Sequence, residues 1–231
     1  MKGQGVKGGP NSQREALRKQ IRCGVRVFFG YDEKDEIALF KKKGQPFLYV
    51  DHAYFDRGYH RGHFRAIYNT IHRTNELDLP ADRRQRFSVK VREWRDGGDF
   101  ILLIPAPPNP LWFHGEHKWN EEVIERLCRV TSREIRVKSN KSNGLGDSIK
   151  NCYALVTHSS VAGVEAACEG VRVCGPKTSP AYPVGVEVEQ IESAIQPERD
   201  RWVNTLTYSQ FTMAELADGS AWQIIKETER L

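Results

Sequence analysis

The sequence lacks the patterns that most directly assign a chain to a class of protein. Its 231 residues contain no run of eighteen apolar residues, so we expect no membrane-spanning helix. The first twenty residues contain no apolar segment typical of a signal peptide, so we expect that the chain is not secreted. GxxxxGK followed by Ser or Thr does not occur, and GxGxxG occurs only as GQGVKG, residues 3–8, with no predicted strand before it. We therefore expect neither of the two common glycine-rich phosphate loops.

Cysteine is sparse, and its placement is irregular. The chain has five cysteines, and no two of them are spaced as CxxC. An odd number of scattered cysteines fits a reducing compartment and argues against a structural zinc site. We therefore expect a cytoplasmic protein.

The residues that are present indicate a folded protein with uneven charge. Hydrophobic residues make up 39% of the chain, enough for one large domain or two small ones. Residues 1–95 hold 21 Lys and Arg against 11 Asp and Glu, whereas residues 96–231 hold 14 against 19. This imbalance indicates that the first part faces an anionic partner, with nucleic acid the leading one. The alternative is that the basic residues only solvate a surface.

Hydrophobic periodicity predicts strands alternating with helices. The first part of the chain has predicted strands over 25–29, 46–51, 65–71 and 87–91 and a helix over 33–42. The second part has predicted strands over 100–104, 135–138, 153–157 and 171–174, a proline-rich loop PAPPNP, and helices over 120–130, 199–206, 212–217 and 221–229. This order predicts an α/β protein with a parallel sheet and helices on both of its faces.

The stretch LVTHSSVAGVEAACEGVRV, residues 155–173, has the pattern of a strand, a turn, a helix and a second strand. Ser159 or Ser160 is suited to cap the helix, and Gly170 to end it. Ligands of parallel sheets bind at the carboxyl ends of the strands, and a helix N-terminus there suits a phosphate. Glu165 is then within reach of a ribose hydroxyl. The alternative is an ordinary βαβ unit, with Ser160 as a cap and Glu165 in solvent.

Several segments, in their order along the chain, resemble a known family. FILLIPAPP, W-x-E-E-x-I, TSREIRVK and YALVTHSSVAGVEAACEGVRV resemble the donor half of GT-B glycosyltransferases, chiefly those of capsule-polysaccharide synthesis and short bacteriophage proteins. The segments over 46–69 and 199–222 resemble the N-terminal and C-terminal motifs of those phage proteins. The resemblance implies a GT-B-like α/β fold of two Rossmann-type parallel-sheet halves, with the N-terminal half reduced.

This fold implies three segments. Residues 1–20 are expected to form a basic flexible tail, residues 21–95 a basic acceptor-side half, and residues 96–231 a donor half that carries the C-terminal helices. WRDGGD, residues 94–99, is the best candidate for the boundary between the halves.

The resemblance also implies roles for single residues. Ser159 and Ser160 bind the diphosphate of a nucleotide-sugar, Glu165 holds its ribose, and Lys138 neutralises the leaving phosphate. His158 lines the same pocket. A UDP-sugar such as UDP-glucose is the expected co-substrate, and no cofactor or catalytic metal is implied.

Sugar transfer to a hydroxyl needs a general base, and Asp51 is our candidate. It follows the predicted strand over 46–51, and His52 is expected to orient it. The alternative is that Asp51 only caps the turn after its strand. His60, His63 and His72 lack a regular ligand scaffold, so we do not predict a metal site from them.

Arginines and aromatic residues alternate after Asp51, a mixture that suits nucleic acid because the cations contact phosphates and the rings stack on bases. The expected acceptor is a 5-hydroxymethylpyrimidine such as 5-hydroxymethylcytosine in phage DNA, extruded from the duplex. The expected contacts are Tyr54, Arg57, Tyr59, Arg61 and Arg65. The alternative is an aromatic-lined cleft with salt-bridged arginines.

Two other functions fit the same features. One is a sugar-nucleotide epimerase of GT-B fold, which needs additional acid and base carboxylates in its cleft. The other is a non-catalytic DNA-binding protein on a degenerate transferase fold. In each case we expect a monomer or homodimer without a membrane partner, in the host cytoplasm if a phage encodes it.

Overall fold

The computed structural model describes residues 15–57, 62–138 and 145–231, and it divides the chain into two compact units. The first unit combines the described residues before His72 with Tyr208–Leu231, and the second is His72–Thr207. These boundaries differ from the expected one near residue 95. The C-terminal residues join the first unit because a late strand adds to its sheet.

The helices and strands follow one another in an α/β order. The chain starts with β1 (Arg26–Phe29), α1 (Lys34–Lys43), β2 (Phe47–His52) and β3 (His63–Tyr68). The second unit contains β4 (Phe100–Ile104), α2 (Pro108–His114), α3 (Trp119–Val130), β5 (Glu134–Val137), α4 (Leu145–Ser148), β6 (Cys152–Thr157), α5 (Val161–Cys168), β7 (Arg172–Cys174) and α6 (Asp200–Thr207). The chain then returns to the first unit with β8 (Gln210–Thr212), α7 (Met213–Asp218) and α8 (Ser220–Glu229).

The sheet of the first unit is mixed, with the strand order β1-β2-β3-β8. The pair β1–β2 is parallel, but β2–β3 and β3–β8 are antiparallel. The expectation of a parallel sheet in this half is therefore wrong for two of its three strand pairs. Only residues 53–62 join β2 to β3, and a parallel pair needs a crossover of about a dozen residues or more.

The sheet of the second unit is wholly parallel, with the order β5-β4-β6-β7. This confirms the α/β prediction for this part of the chain. After β4 the chain adds β5 on one side of β4, and it then adds β6 and β7 on the other side. The strand order thus reverses between β4 and β6, and open parallel sheets bind ligands at the carboxyl edge of such a point.

Each unit has its own apolar core. In the second unit, Ile101 and Leu103 of β4 lie on the same face of the sheet and pack with Val123 and Leu127 of α3. In the first unit, the core includes Val27, Leu48, Val50, Phe64, Phe211, Leu216 and Ile225. No helix within the described ranges is both long and apolar enough to cross a bilayer.

Two elements differ from the sequence prediction. Residues 87–91 form no strand, although a strand is predicted there. Conversely, the PAPPNP segment contains the start of α2, with Pro108 in its first turn. Proline fits the first turn of a helix because the missing N–H has no partner within the helix at that position.

Candidate functional site

The loop between β6 and α5 lies at the carboxyl edge of the parallel sheet. Ser160 caps α5, and its Oγ accepts a hydrogen bond from the backbone N–H of Ala162 at 3.2 Å. Gly170, with φ +79°, follows the end of the helix. The predicted cap and stop are both confirmed. The first turn of α5 therefore presents its backbone N–H groups at this edge, where an anion is stabilised.

The small residues of α5 serve packing. A Cβ added to Gly163 would lie 3.2 Å from the Cβ of Ala181 and 3.3 Å from Cγ2 of Thr157. Ala166 and Ala167 are fully buried. The helix thus lies close against its neighbours, and the small side chains permit that approach.

A cleft of about 700 Å³ lies in the second unit. Its walls include residues 115–118, which connect α2 to α3, Trp119 at the start of α3, and residues 175–178, which follow β7. Glu116 in this lining contacts His158, which directly follows β6, so the cleft lies beside the carboxyl end of that strand. Ser159, Ser160 and Glu165 are not among the residues that line it. Its volume is in the range of small-molecule sites, about 300–1,000 Å³.

The cleft carries charges of both signs. Lys118 and Lys177 are exposed on its walls. Arg126 also lines it, but its guanidinium bonds both carboxylate oxygens of Glu189, at 2.8 and 2.7 Å. The acidic lining residues are Glu116, Glu122 and Glu187. The cleft can therefore offer cations to a phosphate and carboxylates to hydroxyl groups.

His158 is completely buried beside this cleft. Its Nε2 lies 2.6 Å from Oε2 of Glu116, and its ring contacts those of Trp119 and His114, with centroids 5.2 and 5.4 Å away. Burial lowers the pKa of His158, so the imidazole is neutral at pH 7. Because an ionised carboxylate only accepts hydrogen bonds, we assign the proton of the imidazole to Nε2.

Glu116 and His114 are absent from the site predicted from sequence. Both lie in FHGEHKW, residues 113–119, which contains the end of α2 and the glycine that follows it. A polar, aromatic segment at such a position was the signal available.

The other predicted donor residues occupy different surroundings. Ser159 is buried, and Glu165 is half-buried in the second turn of α5. Lys138 follows β5 and lines a separate hollow of about 560 Å³, where its Nζ donates to Oγ of Ser148 at 2.8 Å. The prediction that Lys138 shares the pocket of Ser160 is not met in this arrangement, because β5 lies on the opposite side of β4 from β6.

In the first unit, both oxygens of the Asp51 carboxylate accept hydrogen bonds. Its Oδ2 accepts from the hydroxyl of Tyr49 at 3.0 Å and from Nη2 of Arg65 at 2.9 Å. Its Oδ1 accepts from the backbone N–H of His52 at 2.8 Å. The bond that His52 makes to Asp51 here comes from its main chain. The role of Asp51 as a base stays a prediction.

Arg65 is a buried residue, 3% exposed, that belongs to the interior of the first unit. Its Nη1 donates to the carbonyl of His52 at 2.7 Å, and its Nε donates to the carbonyl of Ile71 at 3.2 Å. Its guanidinium lies 5.6 and 5.7 Å from the ring centroids of Tyr49 and Tyr54. Tyr54 is itself 1% exposed. The prediction that Arg65 and Tyr54 contact DNA is therefore wrong, because neither side chain reaches the surface.

The remaining acceptor residues divide between surface and undescribed positions. Arg57 is exposed, whereas Tyr59 and Arg61 lie outside the described residues.

The charge imbalance is smaller when it is counted by structural unit. The first unit has 16 Lys and Arg against 11 Asp and Glu, and the second has 19 against 19. Part of the basic excess of residues 1–95 thus belongs to the second unit.

Of the three histidines considered for a metal site, the structure describes two. His72 is buried in the second unit, His63 lies in β3 of the first unit, and His60 is outside the described residues. In the parts of the chain that the structure describes, no three or more His, Cys, Asp or Glu residues group together as metal ligands.

Comparison with known proteins adds no relative to these observations. No protein-family model matches the chain. No curated protein matches it either.

Proposed function

We propose that the chain is a glycosyltransferase that binds a nucleotide-sugar in the cleft and transfers the sugar to a hydroxyl acceptor. The observation that carries this proposal is the position of the cleft, whose lining residue Glu116 contacts His158 at the carboxyl end of β6, beside the point where the strand order reverses. The fold that we propose is GT-B-like with a reduced first unit, and we propose that the protein acts in the cytoplasm.

The residues around the cleft suit the leaving group of such a reaction. When the bond from the anomeric carbon to the phosphate oxygen breaks, negative charge develops on the nucleotide diphosphate. The backbone N–H groups of α5 and the hydroxyl of Ser160 can donate to this charge, and Lys118 and Lys177 can neutralise it. Glu165 keeps its proposed contact with the ribose. We propose a UDP-sugar as the donor.

The acceptor that we propose is a 5-hydroxymethylpyrimidine in DNA. Two observations support this acceptor. The first unit has 16 Lys and Arg against 11 Asp and Glu, and Arg57 in this unit is exposed. Phosphate contacts of this kind make DNA affinity fall with salt concentration.

A sugar-nucleotide epimerase is the second candidate function. It is favoured by the three carboxylates of the cleft, Glu116, Glu122 and Glu187. An epimerase removes and returns protons on the sugar nucleotide itself, and it therefore needs acid and base groups beside the donor.

One assay distinguishes these functions. The purified protein is incubated with a panel of nucleotide-sugars, with and without DNA that carries 5-hydroxymethylcytosine or 5-hydroxymethyluracil, and digested nucleosides are analysed by mass spectrometry. A gain of one hexose on the modified base supports the transferase and the DNA acceptor. Conversion of a nucleotide-sugar without acceptor supports the epimerase. Failure to bind any nucleotide-sugar overturns both functions.

A matched pair of serine variants tests the donor site. Ser160→Ala removes the hydroxyl at the start of α5, and we expect UDP-sugar affinity to fall by about tenfold or more, since a hydrogen bond to a charged group is lost. Ser220→Ala makes the same change in the first turn of α8 and should leave affinity unchanged. Titration calorimetry measures both, and equal affinities of the two variants contradict the assignment of Ser160.

A further inference from the structure

We propose that Glu116 is the catalytic base of the second unit and that His158 is the residue that positions it. This inference rests on the proposed glycosyltransferase function, and it assigns the proton-accepting step to the cleft. Three features of the structure support it: the fixed backbone of Glu116, its bond to a buried imidazole, and its access to the cleft.

The backbone of Glu116 is held by the end of α2. Gly115, with φ +72°, ends the helix in the left-handed conformation, and its N–H donates to the carbonyl of Trp112 at 3.1 Å. The N–H of Glu116 donates to the carbonyl of Leu111 at 2.9 Å. These two bonds form a Schellman motif, a helix-ending arrangement that leaves little backbone freedom. The carbonyl of Glu116 then accepts from the N–H of Trp119 at 3.1 Å.

The side chain of Glu116 connects the cleft to the protein interior. It lines the cleft and is 36% exposed, whereas the side chain of His158, to which it bonds at 2.6 Å, is 0% exposed. The rings of Trp119 and His114 limit rotation of the imidazole. The Nε2–H of the imidazole thus donates to Oε2 of Glu116. Oε1 is therefore the oxygen of this carboxylate that can take up a proton from the cleft.

The tautomer of His158 is consistent with this role. Nδ1 is buried, and it has no hydrogen-bond partner among the described residues. An unpaired Nδ1 is tolerated more easily as a neutral acceptor than as the N–H of a cation, whose burial is costly. The imidazole therefore remains a neutral donor, and it can orient Glu116 without competing for the proton.

Asp51 offers a contrast. Its carboxylate accepts three hydrogen bonds, one of them from a buried guanidinium. A proton on Asp51 would have to displace these donors, whereas a proton on Oε1 of Glu116 leaves the bond between Oε2 and His158 in place. Of these two carboxylates, Glu116 is the better placed to exchange a proton.

The proposed step is balanced within the transfer reaction. The acceptor hydroxyl gives its proton to Oε1 of Glu116 while its oxygen forms a bond with the anomeric carbon of the sugar. The bond from that carbon to the phosphate oxygen breaks, and its electron pair leaves with the nucleotide diphosphate. Solvent then removes the proton from Glu116.

The test compares wild type with Glu116→Gln and Glu121→Gln. Glutamine keeps an oxygen that accepts from His158 but cannot act as a base, so we expect kcat to fall by about 10²- to 10⁴-fold with unchanged affinity for UDP-sugar. The acidic limb of the wild-type pH–kcat profile, along which activity rises as the carboxylate loses its proton, should disappear. Glu121 lies in the first turn of α3, five residues after Glu116, but does not line the cleft, so its variant should retain wild-type kcat.

His158 is tested by a pair of substitutions of similar size. His158→Gln keeps an N–H donor for Glu116 and should retain kcat within about tenfold, whereas His158→Met lacks the donor and should lose more. Compared with wild type, the acidic limb of the pH–kcat profile should shift along the pH axis in His158→Met and stay at the same pH in His158→Gln. A thermal melt checks that each variant is folded. If His158→Met does not fold, the kcat of Glu116→Gln decides the outcome.

The outcomes separate the inference from the function on which it rests. Transfer by wild type with loss of turnover and retained donor binding in Glu116→Gln supports both. Transfer by wild type with kcat retained within threefold in Glu116→Gln overturns the base assignment and leaves the transferase intact. Wild-type protein that neither binds nor transfers any nucleotide-sugar overturns the proposed function, and the assignment of Glu116 with it.

Discussion

Removal of the Asp51 carboxylate should destabilise the protein through Arg65. The Arg65 side chain is 4% exposed and that of Asp51 is 15% exposed, with Nη2 and Oδ2 2.9 Å apart. Asp51→Ala would leave the guanidinium buried without its counter-charge. The remaining carbonyl acceptors, on His52 and Ile71, cannot neutralise a full positive charge.

The size of this effect follows from the burial of the pair. Removing one partner of a buried ion pair costs about 3–5 kcal/mol of unfolding free energy, since the other charge stays uncompensated. For a chain of this length, this corresponds to a fall in Tm of roughly 6–20 °C. Glu134→Ala is the matched control, because Glu134 and Arg136 are 2.6 Å apart but 61% and 49% exposed. An exposed pair contributes about 0–1 kcal/mol.

Urea unfolding and calorimetry of the two variants provide the measurement. A double variant that also carries Arg65→Met should recover part of the loss, because it removes the uncompensated charge. If Asp51→Ala costs no more than Glu134→Ala, the carboxylate does not hold the guanidinium in the interior, and our account of the first unit is refuted. Activity of Asp51→Ala is meaningful only at temperatures where this variant is folded.

Three further predictions concern other parts of the molecule. Gly170→Ala should lower the free energy of unfolding by about 3 kcal/mol or more, because a Cβ would lie 2.0 Å from the carbonyl oxygen of Glu93. Gly44 also has a positive φ, +63°, but has open space around it, so Gly44→Ala should lower it by only about 1–2 kcal/mol in urea unfolding. Iodoacetamide at pH 8 followed by peptide mass spectrometry should label the exposed Cys128 far faster than three buried thiols, because burial raises the pKa of Cys152 to about 11 and those of Cys168 and Cys174 to about 12. Burial lowers the pKa of His158 below its ordinary 6.5, so the unfolded state binds more protons at acid pH; stability should fall as the pH drops from about 7 to 5, and His158→Gln should reduce that slope in urea unfolding. Equal costs of the two glycine variants, equal labelling of all the cysteines, or an unchanged slope would contradict the respective prediction.

The parallel sheet can be predicted from the sequence because its signals are local. The predicted strand over 100–104 matches β4, and the cap Ser160 and the stop Gly170 bound α5 as predicted. β4 and β6 are short apolar runs, and a helix separates each strand of this sheet from the next. The order of these runs and of the helical patterns between them therefore predicts the sheet.

The mixed sheet cannot be predicted in this way because its last strand has no local signal. β8 has three residues, and Thr212, at its end, begins α7 through a capping box with Glu215. The local pattern is therefore helical. The strand exists because Phe211 pairs with Phe64 of β3, a contact between distant parts of the chain.

Burial limits the prediction of site residues in the same manner. A sequence places Arg65 and Tyr54 in a basic, aromatic segment but does not show that both face the interior. Glu116 has no periodic pattern to distinguish it, because its position follows from the end of α2 and from the ring of His158. The contacts that define the candidate base are tertiary, and they emerge only with the fold.

The pairing of β8 with β3 also bears on the order in which the chain is made. The ribosome synthesises all of His72–Thr207 before it reaches Gln210–Thr212, so the second unit can fold while the first sheet still lacks its fourth strand. Until then, the open edge of β3 presents unpaired backbone groups that another nascent chain can bind. We expect chains stalled after Thr207 to aggregate through this edge, and a chaperone that covers exposed strands to improve the yield of folded protein.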